Sequence, residues 1–128
     1  MFPKYFAIGA INAAIAIALG AFGAHGLEQK LTEHYLDIFE TGVRYHMYNA
    51  LGLMLIALFA KQIEAGKLAL NGGRLILTGM IIFSGSLYVL AVSGYSKLGM
   101  ITPIGGVAIL AGWTCVIIAA YKKMKITK

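Results

Sequence analysis

Three histidines, two arginines and a few amides are the residues of this chain that could do chemistry, and most of them border apolar runs. His25 closes the stretch Gly20–Ala24, and His46 stands just before the run that opens at Met47. Imidazoles can ligate a metal, move a proton or titrate near neutrality. At the outer ends of neighbouring segments these two could approach each other, and a metal site would recruit His34 or a carboxylate such as Glu28 or Glu40 as well. The intervals, nine residues from His25 to His34 and twelve from His34 to His46, match no metal motif. We therefore expect no metal, and histidines that hydrogen-bond a loop or a helix end.

Arg44 follows Glu40 by four residues, the spacing of a helical ion pair. Its other use would be to receive an anionic headgroup or a ligand's acid group at a membrane surface. Asn12 and Asn49 lie inside apolar runs, where an amide serves bonding between helices. Ser84 and Ser86 can bond carbonyls of their own helix. No base is placed to activate either serine, so nucleophilic catalysis is not expected. The single Cys115 excludes a disulfide framework and reads as an inert small hydrophobe. No haem, flavin or iron–sulfur signature is present, so no cofactor is expected, and an enzyme, as a quinone- or metal-dependent redox protein, is the third reading, behind a non-enzymatic one.

The elements that must position these groups follow from composition. Of 128 residues, 59% are hydrophobic and 12% charged, against roughly 45–50% and about 25% in soluble domains. So few charges cannot clothe a soluble domain, and disorder is excluded by the same balance. Lipid is the solvent. A span needs about 20 apolar residues, and residues 5–24, 43–60, 75–92 and 98–121 provide four within a single membrane domain, 1–128. Lys4 ahead of the first run, with Ala21, Gly23 and Ala24 near its end, imitates a signal peptide. It is read as a retained span. Glu64, Gly66, Asn71 and Gly72-Gly73 read as a short polar connection.

The basic residues sort by side. Lys4, Lys61, Lys67, Arg74, Lys122, Lys123, Lys125 and Lys128 share the side of the termini, leaving Lys30, Arg44 and Lys97 on the other. The positive-inside rule then puts both termini in the cytoplasm. The net charge of +6 is thus a topology signal, reinforced by anionic lipid at the C-terminal tail, and no nucleic-acid partner is expected. Four of the five acids, Glu28, Glu33, Asp37 and Glu40, fall in the first, extracytoplasmic loop. There Leu31, Tyr35, Ile38, Phe39 and Gly42 recur at helical spacing opposite the charges, which predicts an amphipathic helix over 32–42 with Thr32 as N-cap. It either lies on the membrane or runs into the second span. A helix over 32–60 would measure about 43 Å, so it must bend near Gly42 or project outward.

The fold class expected is all-α, an integral membrane four-helix bundle with that amphipathic helix in its first loop. Small residues line one face of the first span (Gly9, Ala13, Ala16, Gly20, Ala24) and of the fourth (Gly105, Ala108, Gly112), less regularly the third (Gly79, Gly85, Ser86). They suit tight packing, and some could equally let a ligand approach backbone. Polar and aromatic motifs gather in the outer half, and the inner half is Ile, Leu, Ala and Val. Tyr45, Tyr48, Tyr88 and Tyr95 suit an outer aromatic belt, with Trp113 and Tyr121 toward the inner side. Pro103 fits the first turn of the fourth helix, capped by Thr102. The candidate ligand pocket comprises His25, Arg44, Tyr45, Tyr48, Ser86, Tyr88 and Thr102. It would take a lipid, a quinone or another amphiphile. An oligomeric transporter or channel for small solutes or ions and a membrane assembly subunit are the alternatives, and a homo-oligomer stays open.

Four runs carry a resemblance: GAFGAHGL at 20–27, TGVRYHMYNAL at 41–51, FSGSLY at 83–88 and LGMITPIGG at 98–106. In that order they resemble the small membrane protein family called domain of unknown function 423, whose eukaryotic relatives are named transmembrane protein 256. The resemblance covers almost the whole chain and implies a bacterial multi-pass protein of the cell membrane with four helices. It names no reaction. It also implies a Tyr-Gln-Met/Leu-Tyr-His type run where this chain has Tyr45-His46-Met47-Tyr48-Asn49, a departure that weakens a His25–His46 metal pair further.

Overall fold

The computed structural model describes residues 2–63 and 66–127. Among them there is no strand. Four helices follow one another, α1 (Phe2–His25), α2 (Glu33–Ile63), α3 (Gly66–Ser93) and α4 (Thr102–Thr127), with a short 3-10 turn at Ser96–Met100. All four are long and apolar enough to cross a membrane. They form an antiparallel bundle in which α1 packs on α2, α2 on α3 and α3 on α4. α2 and α3 are the inner pair; α1 and α4 flank them and turn Ile11, Ile17, Ile104, Val107, Leu110 and Ile117 outward, the surface lipid requires. One end of the bundle carries the α1–α2 and α3–α4 connections and four of the five acids. We call it the acidic end, and the opposite one the basic end.

The amphipathic segment is the beginning of α2, so the second of the two expected arrangements holds. Thr32 does cap it: its Oγ1 accepts from the Tyr35 amide at 3.4 Å. Phe39 and Gly42 are buried while Glu33, Asp37 and Glu40 are exposed. At about 1.5 Å per residue α2 measures roughly 46 Å, beyond the ~30 Å hydrocarbon, so its charged first turns stand outside. At the acidic end Phe39, Leu27 and Ala91 close a core cluster against which Leu19, Leu31 and Tyr88 pack. Tyr5, Leu53 and Ala57 form another toward the basic end.

One expectation about a boundary changes. Residues 66–74, read as a polar connection, are the first turns of α3. Gly72 is there for contact rather than for a turn, since a Cβ on it would lie 2.7 Å from the Gly112 carbonyl oxygen of α4. Seven residues on, Gly79 meets Gly105 in the same way, at 2.6 Å. Two glycine pairs thus bring α3 and α4 into backbone contact, the approach that small residues permit in lipid. The fourth apolar stretch begins with the 3-10 turn Ser96–Met100, and α4 proper follows from Thr102. Gly94, at φ 72°, ends α3: its amide bonds the Leu90 carbonyl at 2.7 Å in the left-handed conformation that closes many helices.

Candidate functional site

Polar atoms inside a membrane bundle must find partners within it, and here they do so across helices. Asn12 of α1 donates from Nδ2 to its own helix at the Ile8 carbonyl, 2.8 Å. Its Oδ1 is therefore the acceptor for His46 Nε2–H of α2, at 2.9 Å. The neutral ring then presents Nδ1 as an acceptor, and the Tyr88 hydroxyl of α3 donates to it at 2.8 Å. One relay, Tyr88 to His46 to Asn12, ties three helices together through a buried imidazole. Asn49 repeats the device. Its Nδ2 donates to the Tyr45 carbonyl at 2.8 Å, and its Oδ1 accepts from Trp113 Nε1 of α4 at 3.1 Å. Ser84 donates to the Gly42 carbonyl at 2.7 Å, and the Ser86 and Thr102 hydroxyls pair at 2.5 Å. Among the described residues no buried side-chain nitrogen or oxygen lacks a partner.

Several expectations are corrected by these bonds. His46 is not at the end of its helix but thirteen residues inside α2. His25 is exposed at the end of α1, about 20 Å away along the bundle by helix rise, and the two do not meet. Ser84 bonds a neighbouring helix, not its own. Ser86 does bond its own helix, donating to the Phe83 carbonyl at 2.9 Å, and Thr102 is the first residue of α4 rather than its cap, its hydroxyl meeting that of Ser86. Tyr88 and Trp113 leave the aromatic belt for the interior, drawn by His46 and Asn49. Among the described residues Arg44 makes no ion pair with Glu40.

The seven residues expected to form a pocket are spread over the acidic half. Tyr88 faces α1 and α2, its ring 5.1 Å from that of Phe39. Ser86 and Thr102 are paired at the α3–α4 contact. Tyr45 stacks edge-on against Tyr48 and Phe83, at 5.7 and 5.2 Å between ring centres. Arg44 and Tyr48 stand about 140° and 180° around α2 from Phe39 at roughly 100° per residue, on the opposite side of the helix.

A groove of about 360 Å³ does open in this half, between α1 and α3 with α2 as its floor. Its walls are Leu19 and Phe22, Phe39, and Tyr88, Val89 and Val92, and Ser93 stands at its rim. Ser93 bonds back to the Val89 carbonyl at 2.6 Å, so the groove presents hydrocarbon and aromatic surface. Tyr88 is both a wall of the groove and the end of the buried relay. Of the expected residues it alone lines this groove. The relay itself escaped sequence reasoning, which paired His46 with His25. A depth count would have found it: Asn12 precedes the end of α1 by thirteen residues, and His46 follows the start of α2 by thirteen.

The family model "Protein of unknown function (DUF423)" matches residues 19–106, from the wall of this groove to the α3–α4 contact. The chain belongs to this family. The chain is also similar to the UPF0382 membrane protein YwdK of Bacillus subtilis, 48% identical over 118 residues, with 92% of this chain and 96% of the relative covered. UPF0382 membrane proteins of Staphylococcus aureus and Staphylococcus epidermidis are 44% and 45% identical over 121 residues, covering 92% of this chain and 95% of each relative. The similarity therefore spans nearly the whole chain, whose own four helices are long and apolar enough to cross a membrane, and the relatives are named membrane proteins. No solved structure matches the chain.

Proposed function

We propose that this protein is a non-enzymatic member of its family that binds an amphiphile, a lipid or a quinone, by its apolar tail in the groove between α1 and α3. The observation that carries the reading is that groove: its walls are apolar, and Phe22, Val89 and Val92 among them are exposed. Its most polar wall, Tyr88, is held rigidly from behind by His46. A tail seated there would exchange lipid contact for a preformed aromatic surface, with little ordering of the protein to oppose binding. Val89 is more than half exposed and lines the groove, so Val89→Trp would fill it without touching the relay. Native mass spectrometry of gently extracted protein is expected to show a retained amphiphile on the wild type, reduced roughly tenfold or more in occupancy by this variant. Equal retention by both proteins would sink the reading.

The same proposal places the groove in the extracytoplasmic half, with both termini in the cytoplasm. The support is that eight of the eleven basic residues fall, by sequence, on the side of the termini. Single cysteines introduced at Gln29 and Lys122 in a Cys115→Ser background should report it. A membrane-impermeant thiol reagent added to intact cells is expected to label position 29 and spare position 122; the reverse pattern would invert the orientation.

A further inference from the structure

We propose that Arg74, held in place by Tyr5 and Asn71, is a binding site for the phosphate of an anionic phospholipid at the basic end of the bundle. The site lies at the opposite end from the groove and does not depend on it.

Tyr5 is 9% exposed, its ring fixed in the core cluster of Leu53 and Ala57. Arg74 of α3 donates from Nε to the Tyr5 hydroxyl oxygen at 3.1 Å and from Nη1 to Asn71 Oδ1 at 3.3 Å. Two of the five guanidinium N–H groups are thereby used. The second Nη1 hydrogen and both on Nη2 remain for a ligand. The Tyr5 oxygen accepts from arginine, which leaves its own O–H to donate as well. Arg74 is exposed, and among the described residues no carboxylate pairs with it. A charged guanidinium fork oriented by side chains from two helices, with no acid paired to it among the described residues, has the geometry that phosphate oxygens accept in pairs.

Position selects the source of the phosphate. Arg74 immediately precedes the apolar run that starts at Leu75, and Tyr5 begins that of α1. The guanidinium therefore stands at the boundary of the hydrocarbon, the depth of lipid phosphates. Lys67 is seven residues before Arg74, nearly two turns away on the same face of α3, and Lys4 adjoins Tyr5. Both are exposed, and they raise the local potential that favours an anionic headgroup over a zwitterionic one.

The test is native mass spectrometry of the full, delipidated protein in detergent, titrated separately with phosphatidylglycerol, phosphatidylcholine and inorganic phosphate. The wild type is expected to take up phosphatidylglycerol in preference to the other two. Arg74→Lys keeps the charge but lacks the fork, and should weaken that uptake roughly five- to tenfold. Tyr5→Phe keeps the ring and should weaken it by about half as much on a logarithmic scale, whereas Lys122→Gln should change it less than about twofold. Thermal unfolding of each variant checks that the bundle is intact, and if Arg74→Lys fails that check Tyr5→Phe carries the test. Uptake unchanged in both Arg74→Lys and Tyr5→Phe would overturn the site. So would an equal loss in Lys122→Gln, which would mean diffuse charge. Equal binding of phosphatidylcholine would overturn the anionic assignment, and Arg74-dependent binding of inorganic phosphate alone would overturn the lipid source.

Discussion

Gly79→Leu is expected to prevent α3 and α4 from associating. A Cβ at Gly79 would stand 2.6 Å from the Gly105 carbonyl oxygen and 2.8 Å from the Ile109 backbone nitrogen, and a Cβ at Gly105 would in turn meet the Phe83 nitrogen at 2.5 Å. These obstacles are main chain on both sides, so no rotamer change relieves them and the helices must move apart. Overpacking a tight contact costs about 1–3 kcal/mol where neighbours can adjust, and more where they cannot. Separation would also open the Gly72–Gly112 contact and the Ser86–Thr102 hydrogen bond, which cross the same two helices. We expect Gly79→Ala to lose roughly 2–3 kcal/mol and Gly79→Leu to leave no cooperative unfolding transition. Gly85, six residues further along α3, is the internal control: a Cβ there meets nothing within 4 Å. Gly85→Ala should be neutral or stabilising by up to about 1 kcal/mol through helix propensity. Thermal or denaturant unfolding in detergent micelles measures all three. The packing account fails if Gly79→Ala proves as stable as Gly85→Ala.

Those glycines also mark where the sequence was legible and where it was not. Four spans could be read because a run of about 20 apolar residues has almost no other use. The start of α2 was readable because charge and apolarity alternate at a helical period from Leu31 to Gly42. The start of α3 was not. Gly72-Gly73 beside Asn71 has the composition of a loop, and only the α4 backbone lying against Gly72 reveals it as a helix contact. A residue that yields its side chain to a neighbour looks the same in sequence as one that yields it to a turn.

The polar groups divide in a similar way. That Asn12 and Asn49 would bond between helices follows from the cost of an unsatisfied amide in lipid. Which partner each takes depends on depth and on rotation about the helix axis. The type of Tyr88 and Trp113 suggests an interfacial belt, and their partners His46 and Asn49 pull them inside. Thr102 is a good cap by type, yet it is the first residue of α4 and its hydroxyl meets that of Ser86 on α3. In each case the competing group sits on another helix, and helix-to-helix register is the quantity a single sequence encodes least directly. The groove follows the same rule, since Leu19, Phe22, Phe39 and Val89 are ordinary span residues until three helices place them around one space.

The relay supplies the second large effect. His46→Leu keeps the size of the side chain but removes both ring nitrogens, leaving the Tyr88 hydroxyl without an acceptor and Asn12 Oδ1 without a donor, each inside the bundle. A buried polar group deprived of its partner costs about 1–3 kcal/mol, whereas a single hydrogen bond between membrane helices is worth only about 0.6 kcal/mol on average. The loss expected for His46→Leu is therefore nearer 2–4 kcal/mol than the sum of two ordinary bonds. Glutamine offers an amide N–H toward Asn12 and a carbonyl oxygen toward Tyr88, the same donor and acceptor in the same order, so His46→Gln should recover most of that loss. Asn12→Leu combined with His46→Leu should cost less than the two single changes added together, because the second substitution removes a group the first had stranded. Tyr88 is shared with the groove wall, so the effect should reach binding too: with its hydroxyl freed from His46 the ring loses its fixed position, and His46→Leu should release the retained amphiphile while His46→Gln keeps it. Unfolding in micelles and native mass spectrometry on the same preparations read both consequences. If glutamine is as damaging as leucine on both measures, hydrogen bonding is not what His46 contributes, and the shape of the imidazole would have to be.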